Sequence, residues 1–525
     1  MKPININSLS IEQKIGQMLV MRNPIDRKDF DYVRSMIRNH ALGAIHISYK
    51  YVHDGYYVEN EKVILDMVQN TADYPILICE DMEYGYPFSE AAMPYQIAIG
   101  SADEEELAYQ YGRITAIEAK RAGYNTVFGP IVDIAMNPES SCVGARAYGG
   151  NKEIVARMAA ATIRGYQDQG MIVTAKHYPG FGEASTDAHI QLVELSGDAQ
   201  MLLDRELYPY TYAMKHADLS GIMVGHIMVP KIDPTYPATI SPKLIGLLRS
   251  TGYDGLIMTD SFAMVGMTGR FPIRDCHKLA MAAGNDMIMT SYRSSMKEAH
   301  GAMLEAYREG MVTEEQINAA VERVIKAQNR TMKKAEQASL TRTEFEAADR
   351  MGRKAVAAKC MQGISPEIDT GAKHLFIIQE GNLYQDVVSG TIKQDICNVA
   401  EVTRILKEKF VNSDFITVPE FPVRAQLERT MVASLGYDSC ILVLANRSIA
   451  YGGSSDATKR MIAVINGLRH KLKAVLLFGN PYAAREFGEI PRIIFGFDGG
   501  ACQKYAALTL AGEHEPIGRI PVELP

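Results

Sequence analysis

Short apolar runs that alternate with amphipathic stretches dominate roughly the first 330 residues of this 525-residue chain. Strands that are buried on both faces read as continuous apolar runs, whereas half-exposed strands alternate between apolar and polar residues. Eight strand–helix repeats of this length predict a (β/α)8 TIM-like barrel, with an open doubly wound sheet as the structural alternative. The eight runs are Met18–Met21, Gly43–Ile47, Ile76–Cys79, Thr126–Phe128, Ile172–Ala175, Gly221–Val224, Gly255–Met258 and Asp286–Met289.

The strand–helix pattern resumes after a long helical segment and a polar stretch that begins at Ser339. The remaining residues are numerous enough to form a hydrophobic core of their own. We therefore predict a barrel over residues 1–339 and a smaller α/β sandwich domain over residues 340–525. The apolar runs of this second region are His374–Ile378, Cys440–Leu444, Ala474–Phe478 and Ile493–Phe495.

Composition and charge exclude several classes of protein. Lys and Arg number 55 against 62 Asp and Glu, and the net charge of −7 argues against nucleic-acid binding. The seven cysteines are scattered without a C-x-x-C pair, which argues against a disulfide framework and a structural zinc site. We find no secretory signal pattern and no apolar run of the ~20 residues that a membrane span needs. The sequence thus predicts a cytoplasmic protein with no membrane partner.

Ionisable residues follow five of the predicted barrel strands. Catalytic groups of such barrels lie at the C-terminal ends of the strands. Each of these residues alone is compatible with a structural hydrogen-bonding role, but together they favour an active site at the barrel mouth. The residues are Asp81 and Glu83, then Asp133 and Arg146, then Lys176 and His177, then His226, and finally Asp260.

The segment KHYPGFGEASTDAH, which follows the fifth run, carries a candidate acid/base pair. Its Pro179 and Gly180 interrupt regular structure, so we expect a loop over the barrel mouth. Asp187 and His189 lie two residues apart and point the same way if the loop is extended. The carboxylate can then hold one imidazole nitrogen and leave the other for proton transfer near neutral pH. The alternative is a pair of solvated loop residues that do not meet.

Asp260 directly follows the apolar run GLIMT. A carboxylate at a strand tip in a barrel mouth can act as a nucleophile, as a base or as a metal ligand. The alternative is a helix cap, because Asp and Ser are favourable N-cap residues.

Taken in order, these motifs resemble those of glycoside hydrolase family 3, in its β-N-acetylhexosaminidase branch. KHYPGFG with D-A-H resembles the branch signature KHFPGHG with D-S-H, and GLIMTDSFAMVGM resembles the strand that carries the nucleophile. GPIVDIAMNPES with GARAYGGN, ICEDMEYG and the tail LLFGNPYAA to EPIGRIPVELP resemble further family blocks, the tail belonging to the α/β sandwich domain. The chain departs from the pattern at Phe181, where the signature has a second histidine, at Tyr84, where it has glycine, and at Ala188.

The resemblance implies a retaining exo-β-N-acetylglucosaminidase that needs no cofactor and no metal. Asp260 would be the nucleophile, His189 the general acid/base and Asp187 its partner. Four residues would bind sugar hydroxyls in the −1 subsite: Asp81, Arg146, Lys176 and His177. Substrates would be N-acetylglucosamine-containing chitin oligosaccharides or muropeptides. Because a neutral imidazole repels an incoming anion less than a carboxylate does, phosphorolysis at the same site is the alternative reaction.

Two rival classes fit the sequence less well. A metal-dependent barrel amidohydrolase generally needs an H-x-H after its first strand, and the sequence contains no H-x-H. A non-catalytic sugar-binding barrel is expected to have lost Asp260 or the Asp187/His189 pair, and all three residues are present.

A loop of the second region is a further candidate for substrate binding. It follows the run Cys440–Leu444 and carries Arg447 and Tyr451, which can bond to sugar hydroxyls or stack on a sugar face. Loops at strand ends of open α/β sheets commonly face ligands. We expect this loop to reach the barrel mouth, in its own subunit or from the partner in a homodimer, and the alternative is an ordinary surface loop.

Overall fold

A computed structural model of the protein describes residues 1–22, 29–47, 58–140, 143–291, 294–333, 339–361, 367–380, 382–385, 392–395, 399–446, 457–497 and 499–524. The chain folds into two compact units, each assembled from several segments. The first unit comprises residues 1–89, 108–133 and 159–341, and the second comprises residues 90–107, 134–158 and 342–525. The domain limits of 1–339 and 340–525 remain a prediction.

The first unit contains an eight-stranded parallel sheet whose strands follow one another in chain order. A backbone bridge between Met258 and Met287 links the last two strands of the barrel, so the sheet almost closes on itself. The predicted (β/α)8 barrel is therefore confirmed. Its strands are β1 Leu19–Arg22, β2 Ala44–His46, β3 Leu77–Glu80, β4 Thr126–Val127, β5 Ile172–Tyr178, β6 Gly221–Val224, β7 Leu256–Thr259 and β8 Ile288–Met289.

Apolar side chains fill the barrel interior in alternation along the strands. Because successive residues of a strand point to opposite faces, a residue two positions beyond a core residue also faces inwards. His46, Asp81 and Asp260 each lie two positions beyond a core residue and so face the mouth. The core below them consists of Val20, Ala44, Leu77, Cys79, Phe128, Ile172, Met223, Leu256, Met258, Met287, Met289, Val324 and Ala327.

Helices connect the barrel strands, and a last helix closes this part of the chain. That last helix begins at Thr313, whose side chain forms a capping box with Gln316. Its apolar face, including Val321 and Val324, is buried. The helices up to this point are Ile11–Gln17, Phe30–Arg38, Val58–Thr71, Gln96–Ala102, Glu105–Ala122, Lys152–Asp168, Tyr208–His216, Pro242–Ser250, Val265–Thr268, Ile273–Ala283, Met296–Arg308 and Glu314–Arg330.

Short elements complete the barrel region. Val193–Glu194 and Ile227–Met228 pair in parallel as a two-stranded ribbon. A single π-helical turn, Leu202–Glu206, precedes the helix Tyr208–His216.

The second unit contains a separate six-stranded sheet, which confirms the predicted α/β domain. Across this sheet the strands follow the order β9 Ala357–Cys360, β14 Arg492–Phe495, β13 Leu472–Gly479, β12 Cys440–Asn446, β10 Leu375–Glu380 and β11 Asp414–Pro419, numbered by their place in the chain. Among the described strands of this sheet, only the β9–β14 pairing is antiparallel. Its helices are Arg342–Ala355, Ala400–Lys409, Arg424–Ser434, Lys459–Leu468 and Cys502–Leu510. Asn382–Gln385 and Ile392–Asp395 pair antiparallel as a separate two-stranded ribbon of this unit.

The four apolar runs predicted in this region correspond to β10, β12, β13 and β14, whereas β9 and β11 were missed. Both missed strands lie at an edge of the sheet and are largely exposed, so they do not read as continuous apolar runs. Aromatic packing stabilises the core beside them, where Phe376 stacks on Phe415 with ring centroids 4.6 Å apart. None of the described helices is long and apolar enough to cross a bilayer.

Candidate active site

Asp260 lies immediately after β7, at the mouth of the barrel. Its Oδ1 accepts the backbone N–H of Ser261 at 2.6 Å, and its Oδ2 is 4.0 Å from His177 Nε2. Burial alone would raise the pKa of Asp260, but the neighbouring His177 and His226 and the Ser261 N–H together lower it. The site therefore holds an ionised carboxylate that is 16% exposed.

The loop after β5 brings Asp187 and His189 into direct contact. His189 donates from Nδ1 to Asp187 Oδ1 at 2.7 Å, and its backbone N–H donates to the same oxygen at 2.8 Å. The Asp187 side chain is only 1% exposed, while that of His189 is 21% exposed. Since Asp187 engages Nδ1 and fixes the ring, proton transfer falls to Nε2.

The loop that carries Asp187 and His189 contacts the segment that follows β7 and Asp260. Val265 donates its backbone N–H to the carbonyl of His189 at 3.3 Å. A side chain on Gly266 would collide with the carbonyls of Ala188 and Gln191, at 2.3 and 2.6 Å from its Cβ. The lack of a side chain at Gly266 thus permits the close approach of the His189 loop to the segment after Asp260.

Asp81, at the end of β3, sits in a charged cluster with Lys176 of β5. Lys176 Nζ donates to Asp81 Oδ1 at 2.5 Å and contacts Glu83 Oε1 at 2.8 Å. His46, at the end of β2, places Nε2 3.4 Å from Asp81 Oδ2. Burial would raise the pKa of Asp81, but Lys176 and His46 hold it well below its usual range.

This cluster also contains the best arrangement of metal-type ligands among the described residues. Ligand atoms of His46, Glu80 and Asp81 lie within 4.8 Å of one another. The ammonium of Lys176, however, already supplies a positive charge against Asp81. The residues therefore do not fit a cation at this position.

His177 is held by a second buried carboxylate, Asp133, which follows β4. His177 donates from Nδ1 to Asp133 Oδ2 at 2.8 Å, while Asp133 Oδ1 accepts the Phe181 N–H at 2.8 Å. Lys176–Tyr178 continue β5 and are not part of the predicted loop, which begins at Pro179. Asp133 thereby ties this loop, through Phe181, to the barrel and orients the His177 imidazole towards Asp260.

His226, at the end of β6, supports the turn that carries Asp260. Its Nε2 donates to the carbonyl of Ser261 at 2.9 Å, and its Nδ1 is 2.9 Å from Thr239 Oγ1. Burial lowers the pKa of His226, and the neutral ring can donate at one nitrogen and accept at the other.

Glu206 lies beneath the loop that follows β5 and contains Gly180, and the sequence analysis did not predict a role for it. It is the last residue of the π-helical turn and pairs with Arg205 at 2.8 Å. A Cβ on Gly180 would lie 2.4 Å from its Oε2, so the loop and the carboxyl group share very little space. Burial, only partly offset by Arg205, raises the pKa of Glu206 to about 7.

The structure thus brings six of the predicted site residues into one unit: Asp81, Lys176, His177, Asp187, His189 and Asp260. Arg146 lies in the turn Gly144–Arg146 of the second unit. Arg447 and Tyr451 lie outside the described residues. His46 was overlooked because a single histidine inside an apolar run gives a weak signal.

Comparison with known proteins places the chain in a family. Residues 10–327 match the glycosyl hydrolase family 3 N terminal domain. The chain therefore belongs to glycoside hydrolase family 3, as its motifs predicted.

Its relatives carry the names that the predicted branch implies. The chain is 28% identical over 273 residues to a "Beta-N-acetylglucosaminidase/beta-glucosidase" of Cellulomonas fimi, covering 49% of this chain and 48% of that protein. It is 33% identical over 202 residues to a "Beta-hexosaminidase" of Pseudomonas aeruginosa (strain LESB58), covering 38% of this chain and 60% of that protein. The matches thus span about half to three fifths of these relatives.

A solved structure shares the whole fold. The family 3 beta-N-acetylglucosaminidase from Paenibacillus sp. str. FPU-7 superposes with a TM-score of 0.83 over 98% of this chain and 99% of that chain. Sequence identity is 24%, so this likeness establishes the two-domain fold.

Proposed function

We propose that the protein is a retaining exo-β-N-acetylglucosaminidase that releases terminal N-acetylglucosamine. One observation carries the proposal: the Asp187–His189 contact of 2.7 Å stands in the same barrel mouth as the ionised Asp260. The His189 imidazole lies close enough to contribute to the lowered pKa of Asp260. A nucleophile and a separate proton donor are the two groups that a double-displacement glycosidase requires.

In the first step, Asp260 attacks the anomeric carbon of the terminal sugar. The glycosidic C1–O bond breaks, and its electron pair stays on the leaving oxygen, which takes the proton of the His189 imidazolium from Nε2. Asp187 stabilises the imidazolium through the Nδ1 contact. The products of this step are a glycosyl ester on Asp260 and the free aglycone.

In the second step, the neutral Nε2 of His189 takes a proton from water as the water attacks C1. The ester bond breaks, and its electron pair returns to the Asp260 carboxylate. Two inversions at C1 give net retention of configuration.

We assign sugar binding to the groups around the nucleophile. Asp81 and Lys176 offer an acceptor and a donor for hydroxyls, and the Nε2 atom of His177 lies 4.0 Å from Asp260 Oδ2. Arg146 completes the proposed −1 subsite on the strength of the family motif alone. Substrates are N-acetylglucosamine-containing oligosaccharides, either chitin fragments or muropeptides.

We further propose that the enzyme works in the cytoplasm. Cys79, Cys276, Cys360, Cys440 and Cys502 are free thiols. A reducing compartment accommodates such thiols without risk of unwanted disulfides.

The decisive experiment follows the purified protein acting on chitobiose and on an anhydromuramyl disaccharide, with product configuration read by proton NMR. We expect the β-anomer of N-acetylglucosamine as the first product. Formation of the α-anomer first, or no release from either substrate, would refute the proposal. Added phosphate distinguishes the alternative reaction, because a phosphorylase would form a sugar 1-phosphate instead.

Prolonged dialysis against a chelator tests the amidohydrolase class. We expect activity to persist, since the proposed steps use only side chains of this chain. Loss of activity that zinc restores would favour the metal-dependent class.

A further inference from the structure

His46 occupies the mouth of the barrel although it belongs to an otherwise apolar strand. Ala44 below it is part of the barrel core, and His46 faces the same interior one layer higher. Its side chain is 1% exposed, and its ring packs against Phe128 with centroids 4.9 Å apart. An apolar residue would satisfy this packing equally well, so packing alone does not account for a histidine here.

The polar contact of His46 is with Asp81. Its Nε2 is 3.4 Å from Asp81 Oδ2, while Lys176 holds the other oxygen, Oδ1, at 2.5 Å. Neither ring nitrogen has a hydrogen bond of ordinary geometry within the described part of the chain. A small movement of either side chain closes the 3.4 Å gap to a direct hydrogen bond.

The charge state of His46 is compatible with donating one N–H hydrogen bond to Asp81. The groups that act on the ring are Asp81, which favours the imidazolium, and Arg22 and Lys176, which disfavour it. Burial is the strongest influence, and it lowers the pKa of His46. The ring is therefore neutral at physiological pH and has a single N–H to offer.

We propose that His46 is a positioning residue, which holds Asp81 Oδ2 through Nε2–H and so fixes the face that Asp81 presents to the sugar. With Lys176 on one oxygen and His46 on the other, the carboxylate cannot rotate about its Cβ–Cγ bond without losing a contact. The exposed third of the Asp81 side chain then meets the sugar hydroxyls in one orientation. This inference rests on the proposed glycosidase function and on Asp81 binding substrate.

Two substitutions of nearly equal size separate hydrogen bonding from packing. His46→Gln retains an N–H donor near the position of Nε2, whereas His46→Met has none. We expect His46→Gln to remain within about threefold of the wild-type kcat/KM. His46→Met should lose about 10- to 100-fold on an aryl N-acetylglucosaminide, because a hydrogen bond to a charged partner is lost.

The Asp81→Asn background provides the second readout. If His46 acts through Asp81, His46→Met should cost far less in Asp81→Asn than in the wild type, because the two effects are coupled. Melting temperatures of all variants show whether each one folds. If His46→Met does not fold, the coupling of His46→Gln to Asp81→Asn decides, since the small loss expected of that variant should vanish in the Asp81→Asn background.

The outcomes are distinct. Equal losses for Gln and Met, or losses that persist unchanged in Asp81→Asn, would show that His46 serves packing only and would overturn the inference. Failure of the proposed function would be seen differently, as a wild-type protein that releases no N-acetylglucosamine, and it would overturn this inference as well.

Discussion

The eight-stranded barrel sheet and the six-stranded sheet of the second unit are both built mainly from buried strands joined by helices, but different residues follow the ends of their strands. The barrel strands end in buried, charged side chains, such as Asp133, Lys176 and Asp187. In the second unit, the buried acidic, basic and histidine side chains among the described residues are Glu344 and His374. His374 lies at the start of a strand, where it contacts Ser439 Oγ at 2.5 Å and the Asp369 carbonyl at 2.7 Å.

We interpret this difference as support for the proposed active site in the barrel. Burying a charge is costly unless it is paired, and a stable core has no need of it. Several charged side chains are nevertheless buried at the barrel mouth. Each has a partner that orients it, as His189 orients Asp187. The second sheet instead ends in amides and glycines such as Asn446, Gly479 and Asn480. The concentration of paired, buried charge at the ends of the barrel strands therefore supports the proposed position of the active site.

The sharpest test of this comparison exchanges one carboxylate in each sheet. Asp260→Ala should lower kcat by roughly four orders of magnitude or more, because covalent catalysis is lost. Asp414→Ala at the edge of the second sheet removes a carboxylate that contacts Tyr437 Oη at 2.6 Å and should leave kcat unchanged. Steady-state kinetics and circular dichroism of both variants provide the measurement. More than about a tenth of wild-type activity in Asp260→Ala would remove the assignment.

The effect of removing His189 or Asp187 should depend on how good the leaving group of the substrate is. His189→Ala should slow substrates with poor leaving groups by roughly 10²–10⁴-fold, and those with good leaving groups far less, because the latter need little protonation. Asp187→Ala should act in the same direction but more weakly. A series of aryl N-acetylglucosaminides of graded phenol acidity measures the dependence. An equal loss across the series would mean that His189 only shapes the loop.

The raised pKa of Glu206, in the barrel unit, leads us to predict that this residue makes stability depend on pH. Folding raises its pKa from 4.5 to about 7, so between these values the folded protein keeps a proton that the unfolded chain releases. The contribution of Glu206 to the free energy of unfolding should fall as the pH rises through this window, by about 3 kcal/mol in total. Glu206→Gln has no titrating group at this position. Its unfolding free energy relative to that of the wild type should therefore rise from pH 5 to pH 8.

Glu183→Gln is the matched control, because Glu183 contacts the same Arg205 at 2.7 Å but is 36% exposed. Urea unfolding at several pH values compares the three proteins. Parallel stability curves for wild type and Glu206→Gln would contradict the prediction.

The fold and the Asp187–His189 contact can be predicted from local sequence, whereas the contacts of Glu206 and His46 cannot. Buried parallel strands can be recognised in a sequence as apolar runs. Asp187 and His189 are two residues apart, so a short loop is enough to bring them together. Glu206 meets the KHYPGFG loop only through the tertiary fold and a π-helical turn, which no local pattern indicates. His46 and Asp81 are likewise joined by neighbouring strands.

The smallest expected effect is the one that can break the comparison between the two sheets. Arg447 and Tyr451 follow β12 of the second sheet, outside the described residues, and we predict that they bind the part of the substrate beyond the first sugar. The double variant Arg447→Ala with Tyr451→Ala should raise KM for a disaccharide a few-fold and leave KM for a small aryl monosaccharide nearly unchanged, because only the longer substrate would lose contacts. kcat should stay constant on both substrates, since neither side chain takes part in the chemical steps.

Arg424→Ala, which removes an exposed arginine of a helix in the same unit, is the control. A selective rise in KM would give the second sheet a share in substrate recognition, whereas unchanged constants on both substrates would leave it as a scaffold.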